Sequence, residues 1–277
     1  MPDSKWCIAL RDEGRRPKVR IWKGILALSK NKTLRTRDAG AIVEQVCYNR
    51  IERSDDSKVR AEKRKKTTEV MRQYNHKSSI RKFELMLSAN FKPGDVVGTV
   101  TYDDDHLPPD RKAAERRFRY FRKKLERHYQ AAGIELVVFW STESKHGEGR
   151  LHHHFIMPST GDDYDAIRAA WIYGGDIELK PLRVDKEKNY KTLAVYYAKE
   201  ARDKLGLRAW TYTRNAKKPE EDTERVENDY RLSAPDGVIV LEKSCIETPF
   251  GSFEYLKYLR PWLSKDRVKV RRRRRKT

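Results

Sequence analysis

The chain has 277 residues, 38% of them hydrophobic and 37% charged, which allows one large domain with additions or two small ones. Its 62 lysines and arginines against 41 aspartates and glutamates give a formal net charge of +21, which favours a nucleic-acid partner through phosphate contacts. The sequence argues against a membrane protein and a disulfide scaffold, since it has no lipidation motif, only three scattered cysteines and no apolar run of roughly 18 residues, the length that spans a bilayer.

The first part of the chain, residues 1–92, is a basic N-terminal region. Residues 18–24 alternate basic with apolar side chains, which predicts a strand with one phosphate-facing side. Residues 41–48 fit a helix and a strand equally well, and the densely charged residues 53–66 predict a solvated connector or the start of a helix. Helical spacing over 67–91 predicts one or two basic helices, whose exposed face is either simply solvated or in contact with DNA.

The central part, residues 93–219, has the alternation of apolar segments and turns that is typical of a compact domain. Its predicted elements are, in order, a turn over 91–95, a strand over 96–102, an amphipathic helix over 110–132 that stops at Gly133, a strand over 134–143, a strand over 149–157, a helix over 164–174, a strand over 176–182 and a helix over 189–205. This order predicts an α+β fold, an antiparallel sheet with helices packed on one face. The short glycine-containing loop 144–150 predicts that the strands before and after it form a hairpin.

The sequence pattern of the last part, residues 220–277, indicates a C-terminal extension. The charged and polar residues 216–231 predict a linker, and residues 237–243 predict a strand, with a short apolar segment over 253–262. The arginine-rich tail 265–277 predicts a disordered segment that binds phosphate.

Three consecutive histidines stand inside the strand 149–157. Because successive strand side chains point to opposite faces, His152 and His154 share one face and His153 takes the other. Two imidazoles about 6 to 7 Å apart on a rigid strand can close on one metal ion, although a buried, hydrogen-bonded histidine pair is the structural alternative. Glu143 ends the preceding strand, so the hairpin brings a carboxylate beside them. This ligand set leaves positions for water and a phosphate oxygen and suits Mn²⁺ or Mg²⁺.

The helix over 189–205 carries a second group of candidate residues. Tyr196 and Lys199 are spaced i, i+3, so they share one helix face. In a basic protein with a metal site, they indicate phosphoryl transfer on nucleic acid, in which Tyr196 attacks a metal-polarised phosphate and Lys199 holds that phosphate or favours the ionised phenol. Taken alone, aromatics at helical spacing are more often packed in the core than catalytic, and Lys199 alone would be a solvated charge.

Taken in order, these motifs resemble those of the HUH endonucleases, the rolling-circle replication initiators (Rep proteins) of phages, plasmids and integrative elements. The motifs that carry the resemblance are Thr99-Val-Thr-Tyr-Asp with Leu107-Pro108-Pro109, then Glu143 followed by Gly149-Arg150-Leu151-His152-His153-His154-Phe155-Ile156-Met157, then Tyr196-Tyr197-Ala198-Lys199. The resemblance implies an HUH nuclease core over 93–219, a metal site on Glu143, His152 and His154, and Tyr196 as nucleophile. It implies an enzyme that nicks single-stranded or hairpin origin DNA, stays joined to the 5′ phosphate, frees a 3′-OH primer and later rejoins the strand.

Two positions depart from the family pattern. His153 replaces the aliphatic residue between the two ligand histidines, which suggests an extra role for His153. The second tyrosine, Tyr197, stands directly beside Tyr196 instead of a helical turn away. We therefore predict a single-tyrosine enzyme with Tyr196 as nucleophile and Tyr197 as the alternative. A relaxase or a transposase would use the same chemistry, and a non-catalytic basic DNA-binding protein would use the histidines only for structure.

The resemblance also implies partners. The chain has no Gly-x-x-x-x-Gly-Lys-Ser/Thr motif, so a host helicase would be needed together with a host DNA polymerase. Arg150, Arg214, Lys217 and Lys218 are the predicted DNA-binding residues. With no run of signal-peptide length and with cysteines suited to a reducing compartment, we expect a cytoplasmic protein without a membrane partner.

Overall fold

The structure is a computed structural model that describes residues 28–51, 69–144, 150–199, 209–248 and 251–261. Within these ranges the chain forms two five-stranded antiparallel sheets and four helices, which confirms the predicted α+β fold class. None of the described helices is long and apolar enough to cross a membrane. The predictions for residues 18–24, 53–66 and 265–277 fall outside the described residues.

The central sheet is formed by the middle of the chain. Its strands are β3 (Val96–Val100), β4 (Phe139–Ser144), β5 (Leu151–Met157), β6 (Ile177–Pro181) and β7 (Thr211–Tyr212), in the order β6-β3-β5-β4-β7. β4 and β5 form the predicted hairpin, with Glu143 opposite His152. The histidine strand β5 lies inside the sheet, because it pairs with β3 on one edge and with β4 on the other. Both neighbours therefore fix its position.

Helices cover both faces of the central sheet. One face carries α2 (Arg111–Ala131) and α3 (Asp163–Ala170), and the other carries α1 (Glu69–Asn90) and α4 (Lys191–Ala198). The prediction of helices on one face is therefore wrong, because periodicity identifies a helix without indicating which sheet face it covers. The two-sided cover explains why the last five residues of β5 are all buried without alternation.

The second helix, α2, matches its sequence signals closely. The Asp110 side chain accepts a hydrogen bond from the backbone N–H of Ala113 at 2.6 Å, which caps the helix start. The helix ends before Gly133, whose φ of 67° is a conformation that glycine adopts without strain. The predicted apolar stripe, Phe118, Phe121, Leu125 and Tyr129, is fully buried against the central sheet.

The second sheet joins the two ends of the described chain. It contains β1 (Leu28–Asp38), β2 (Ile42–Ile51), β8 (Glu220–Glu227), β9 (Ile239–Thr248) and β10 (Gly251–Leu259), in the order β8-β1-β2-β10-β9. The ambiguous residues 41–48 therefore lie mainly in a strand, and the apolar segment over 253–262 lies mainly in β10.

The predicted linker over 216–231 is wrong, because it contains the edge strand β8. Its residue Glu221 pairs with two basic side chains of β1: Oε2 lies 3.1 Å from Arg37 Nε, and Oε1 lies 4.0 Å from Arg35 Nη1. A charged run has the composition of a linker, and the local sequence does not indicate a partner strand that is far away in the chain. At an exposed sheet edge, however, charged residues are common, since they discourage pairing with another chain.

The first helix lies between the two sheets and connects them. Phe83 and Leu87 enter the core of the central sheet, whereas Leu85 packs with core residues of the second sheet. Glu84 forms a buried ion pair with Lys257 of β10, with 2.7 Å between Oε2 and Nζ. Because α1 buries more than one of its sides, its apolar residues do not form the single stripe that α2 shows.

Gly98 of β3 provides a test of this packing. A Cβ atom at this position would overlap the ring of Phe155, which is buried on the neighbouring strand. We expect Gly98→Ala to lower the free energy of unfolding by about 1 to 3 kcal/mol, the usual cost of overpacking a core. Denaturant unfolding measures the effect. In the background of Phe155→Leu the same glycine replacement should cost less, and equal costs in the two backgrounds would contradict the proposed overlap.

Candidate active site

The register of the β4–β5 hairpin places three predicted ligands on one side of the central sheet. Glu143 stands directly opposite His152, and Ser141 stands opposite His154. Strand alternation directs His152 and His154 to the side covered by α4, and it directs His153 to the side covered by α2.

The side chains of Glu143, His152 and His154 form a compact group. One ligand atom from each lies within 4.8 Å of the others, and His154 Nε2 is 3.7 Å from Glu143 Oε2. Ligand atoms at about 2.0 to 2.2 Å from one cation are at most about 4.4 Å apart, so small side-chain rotations would bring the three atoms onto a shared ion. Glu143 and His154 are buried and His152 is half-buried. The group therefore fits a divalent cation, with the half-buried His152 on the side that solvent can reach.

Contacts at Nδ1 fix both imidazoles and leave Nε2 as the nitrogen available to a metal ion. His152 Nδ1 lies 3.1 Å from the backbone oxygen of Arg150, which can only accept, so Nδ1 carries the proton. His154 Nδ1 lies 2.9 Å from Thr99 Oγ1 on the neighbouring strand β3. A partner at Nδ1 that fixes the ring and leaves Nε2 available is the usual second shell of a metal-binding histidine. Thr99 belongs to the first of the three sequence motifs, but the motif alone does not indicate this role.

The electrostatic setting of His154 keeps its ring neutral. Burial lowers the pKa of His154 to about 4, and the neighbouring His152 and Lys199 contribute in the same direction. A neutral imidazole retains the lone pair that a metal ion requires. At neutral pH, therefore, no proton has to be removed from this ring before it can act as a ligand.

Tyr196 and Lys199 of α4 extend over the same group. The hydroxyl of Tyr196 lies 3.1 Å from His154 Nε2, and the side chain remains 41% exposed. Lys199 Nζ lies 3.3 Å from Glu143 Oε2 and 3.8 Å from the centre of the Tyr196 ring. Burial lowers the pKa of Lys199, but the Glu143 carboxylate and the Tyr196 phenol raise this pKa by more, so the ammonium keeps its charge.

Tyr197 faces the opposite way, into the core between α4 and the central sheet. It is 1% exposed, and its ring centre lies 5.3 Å from that of Phe83 on α1. Its hydroxyl has no hydrogen-bond partner among the described residues. Burial raises the pKa of Tyr197 well above its ordinary value, and the Glu143 carboxylate adds to this effect.

His153, which the sequence leaves without a clear place, is a core residue. It is fully buried, with Nε2 2.7 Å from the Tyr102 hydroxyl and Nδ1 3.0 Å from Thr142 Oγ1. The ring also packs at 4.8 Å from the centre of the Phe118 ring. Burial lowers the pKa of His153 to about 3, with a smaller contribution from His152, so the ring is neutral. Its contacts tie β5 to β4, to α2 and to the segment that follows β3, on the face away from the candidate site.

The four predicted DNA-binding residues do not gather at one place. All are exposed: Arg150, Arg214, Lys217 and Lys218. The guanidinium of Arg150 contacts the carboxylate of Asp104. The other three lie between β7 and β8, where the backbone N–H of Lys217 donates to Asn90 Oδ1 at 2.8 Å and fixes the segment to the end of α1.

Comparison with protein-family models gives a match over the middle of the chain. The family model described as replication-associated protein ORF2/G2P matches residues 95–204, a range that includes both parts of the candidate site. This match confirms the predicted resemblance to rolling-circle replication initiators over these residues, and it supports a replication-associated protein. Comparisons with curated proteins and with solved structures gave no match.

Proposed function

We propose that this chain is a rolling-circle replication initiator that nicks single-stranded origin DNA through Tyr196 and a divalent metal ion. The observation that carries the proposal is the position of the Tyr196 hydroxyl, 3.1 Å from His154 Nε2 in the Glu143, His152 and His154 group. A nucleophilic oxygen thus adjoins the atoms suited to hold a metal, and the region lies within the match to a replication-associated family.

In the proposed reaction, the phenolic oxygen of Tyr196 attacks the phosphorus of the scissile phosphodiester. A bond forms between this oxygen and phosphorus, and the bond between phosphorus and the 3′ oxygen breaks. The tyrosine gives up its proton and the departing 3′ oxygen gains one, so the strand ends as a 3′-OH while the 5′ phosphate remains on Tyr196. Attack of a 3′-OH on the phosphotyrosine reverses these bonds and rejoins the strand.

Glu143, His152 and His154 would hold Mn²⁺ or Mg²⁺. When bound, such an ion supplies Lewis-acid polarisation of the phosphate oxygens and offsets the charge that develops on them. Glu143 and the neutral histidines supply the carboxylate oxygen and imidazole nitrogens, and Thr99 and the Arg150 carbonyl hold the two rings in place.

Lys199 has two tasks in this proposal. Its ammonium lies next to the Tyr196 ring and is exposed enough to reach a bound phosphate. A cation beside the nucleophile stabilises negative charge on the phenolic oxygen, and the same cation then attracts the phosphate that Tyr196 attacks. Its ion pair with Glu143 keeps it directed toward the site before DNA arrives.

Contrasting exposure supports Tyr196 over Tyr197 as the nucleophile. Tyr196 is 41% exposed and Tyr197 is 1% exposed, and the hydroxyl of Tyr197 lies in the apolar layer under α4. A scissile phosphate is a large, charged group, and its approach to Tyr197 would require α4 to leave the sheet.

The family match favours replication initiation over a relaxase or a transposase, which would use the same chemistry on different DNA. A non-catalytic basic DNA-binding protein would not need an exposed phenol next to a metal-ligating group. A host helicase and a host DNA polymerase remain the proposed partners, because a nick alone neither opens the duplex nor extends the primer.

Formation of a covalent adduct tests the proposal. The purified chain would be incubated with Mn²⁺ and a labelled pool of single-stranded oligonucleotides that contains a randomised segment. We expect label on the protein in a denaturing gel, and peptide mapping should find a DNA-linked Tyr196. Label that resists denaturation but appears equally with a chelator in place of Mn²⁺ would contradict the metal-assisted mechanism, and strand breaks without any linked protein would contradict the tyrosine mechanism.

A further inference from the structure

A groove of about 740 Å³ lies between residues 74–86 of α1 and the face of the second sheet. Its lining residues all lie outside residues 95–204, the range of the family match. Apart from Tyr212, its walls come from α1, β1, β2, β8, β10 and the two residues before β8. Tyr212 belongs to β7, which pairs with β4, the strand that carries Glu143. The groove therefore ends at an edge of the sheet that holds the candidate active site.

The walls of the groove are strongly basic. Six basic residues line it, against two acidic residues; the basic ones are Arg35, Arg37, Lys77, Arg81, Lys82 and Lys218. Both acidic residues are engaged by arginines of β1: Glu221 lies 3.1 Å from Arg37 Nε, and Glu44 lies 3.3 Å from Arg37 Nη1. The groove thus keeps a surplus of positive charge after its internal ion pairs are formed.

Three lysines provide that surplus. Lys77 and Lys82 are exposed on α1, and Lys218 is exposed on the segment before β8. In the part of the chain that the structure describes, none of the three forms an ion pair with a carboxylate. Unpaired ammonium groups along a groove are suited to the phosphates of a polyanion, which release counterions when they are neutralised.

Exposed aromatic rings accompany these charges. Tyr74 on α1 is 64% exposed and Phe253 on β10 is 41% exposed, and both line the groove. Tyr255, two residues along the same strand, lies on the same sheet face and packs its ring 4.6 Å from the Arg81 guanidinium. Rings of this kind are available to stack on unpaired bases, whereas the bases of a duplex are already stacked on one another.

From these observations we infer that the groove binds single-stranded DNA, with phosphates on Lys77, Lys82 and Lys218 and bases on Tyr74 and Phe253. The inference rests on the proposed function for the identity of the nucleic acid. It assigns the second sheet and α1 a task of their own, which is to hold the strand that leads to or from the nicking site. An acidic peptide would use the lysines but would have no base to place on the two rings.

The test is a binding measurement that does not depend on cleavage. Fluorescence anisotropy would follow a labelled oligodeoxythymidylate bound to the Tyr196→Phe chain over a range of salt concentrations, without divalent metal. Lys77→Gln with Lys82→Gln should reduce the slope of log affinity against log salt by about 1.4, since each single-strand phosphate contact contributes about 0.7. The matched control is Lys112→Gln with Lys123→Gln, which removes equal charge from exposed positions of α2 and should leave the slope unchanged.

Replacing the aromatic residues should change a different quantity, the affinity itself rather than its dependence on salt. Tyr74→Ala with Phe253→Ala should weaken binding by at least about five-fold, the lower end for one stacked base, with the salt slope unchanged. All the replaced side chains are exposed, and thermal melting would establish that each variant is folded. Equal losses in the groove and control pairs would overturn the inference. So would duplex binding as tight as single-strand binding, or displacement of the oligonucleotide by polyglutamate of the same charge.

The adduct assay separates this inference from the proposed function. If the groove variants bind like their parent while the chain with Tyr196 still forms an adduct, the groove assignment is wrong and the nicking proposal stands. If the groove variants lose binding while the chain with Tyr196 forms no adduct, the groove assignment stands and the nicking proposal is wrong.

Discussion

Replacement of Tyr196 by phenylalanine is expected to reduce covalent adduct formation by at least about a thousand-fold, because it removes the atom that forms the bond to phosphorus. Replacement of Tyr197 by phenylalanine is expected to leave adduct formation within a few-fold of the parent. The measurement is the rate at which labelled single-stranded DNA becomes linked to each variant in the presence of Mn²⁺. The expectation follows from the positions of the two hydroxyls, one 3.1 Å from His154 Nε2 and the other inside the core.

The two variants form a matched pair, since each removes one hydroxyl from one of two adjacent tyrosines. Tyr196→Phe keeps the ring beside Lys199, and Lys199 also keeps its ion pair with Glu143. Tyr197→Phe removes a buried hydroxyl that has no partner among the described residues, so the free energy of unfolding should stay equal or rise slightly. Adduct at the parental rate in Tyr196→Phe, or its loss in a folded Tyr197→Phe, would move the nucleophile away from Tyr196.

Local pattern was sufficient to predict the central part of the fold. The helix over 110–132 carries a cap, an apolar stripe and a stop within its own sequence, and the structure places α2 at Arg111–Ala131. The hairpin of β4 and β5 followed from two apolar strands joined by a short loop. Because register in a hairpin is fixed by that loop and by strand alternation, the meeting of Glu143 with His152 and His154 was also predictable.

Long-range pairing was not predictable in the same way. β8 has the composition of a linker, because its residues are charged and mostly exposed, and its partner β1 lies far earlier in the chain. Antiparallel pairing with β1 holds this strand, and the ion pair of Arg37 with Glu221 adds a side-chain contact. No local sequence pattern predicts a partner at such a separation. For the same reason, the sequence did not indicate that the N-terminal and C-terminal regions join in one sheet, or that a groove lies beside α1.

The roles within the histidine strand show a similar division. Alternation predicts that His153 faces away from His152 and His154, but only the tertiary structure reveals what it meets there. Its partners Tyr102 and Thr142 come from strands or loops on either side, and their hydroxyls satisfy both nitrogens of a buried ring. His153 therefore departs from an aliphatic pattern without entering the site.

Taken together, these placements divide the β5 histidines by task. The side toward α4 carries two rings directed by their Nδ1 partners, and the side toward α2 carries one ring that is locked into the core. Metal-binding and structural contributions of adjacent residues can therefore be separated by substitution, although the residues are neighbours on one strand.

Replacement of both His152 and His154 by alanine is expected to abolish metal binding and adduct formation while single-stranded DNA binding is retained. Two of the three ligand atoms are lost, whereas affinity for DNA depends mainly on lysine and arginine contacts with phosphate. Titration calorimetry with Mn²⁺ should show no binding heat, and the adduct rate should fall by at least about a thousand-fold. Thr99→Val gives a graded comparison, because losing the partner of His154 Nδ1 should weaken Mn²⁺ binding by about 10- to 100-fold without removing a ligand.

His153→Gln is the control that separates loss of the metal from damage to the strand. It changes the residue between the two ligands, but on the opposite face, where the Tyr102 and Thr142 hydroxyls would lose part of their hydrogen bonding. The free energy of unfolding should fall by about 1 to 3 kcal/mol, and Mn²⁺ affinity below the melting transition should change little. If His153→Gln instead lost Mn²⁺ as completely as the double alanine variant while still folded, the strand as a whole would govern metal binding. The division of tasks between its two faces would then be wrong.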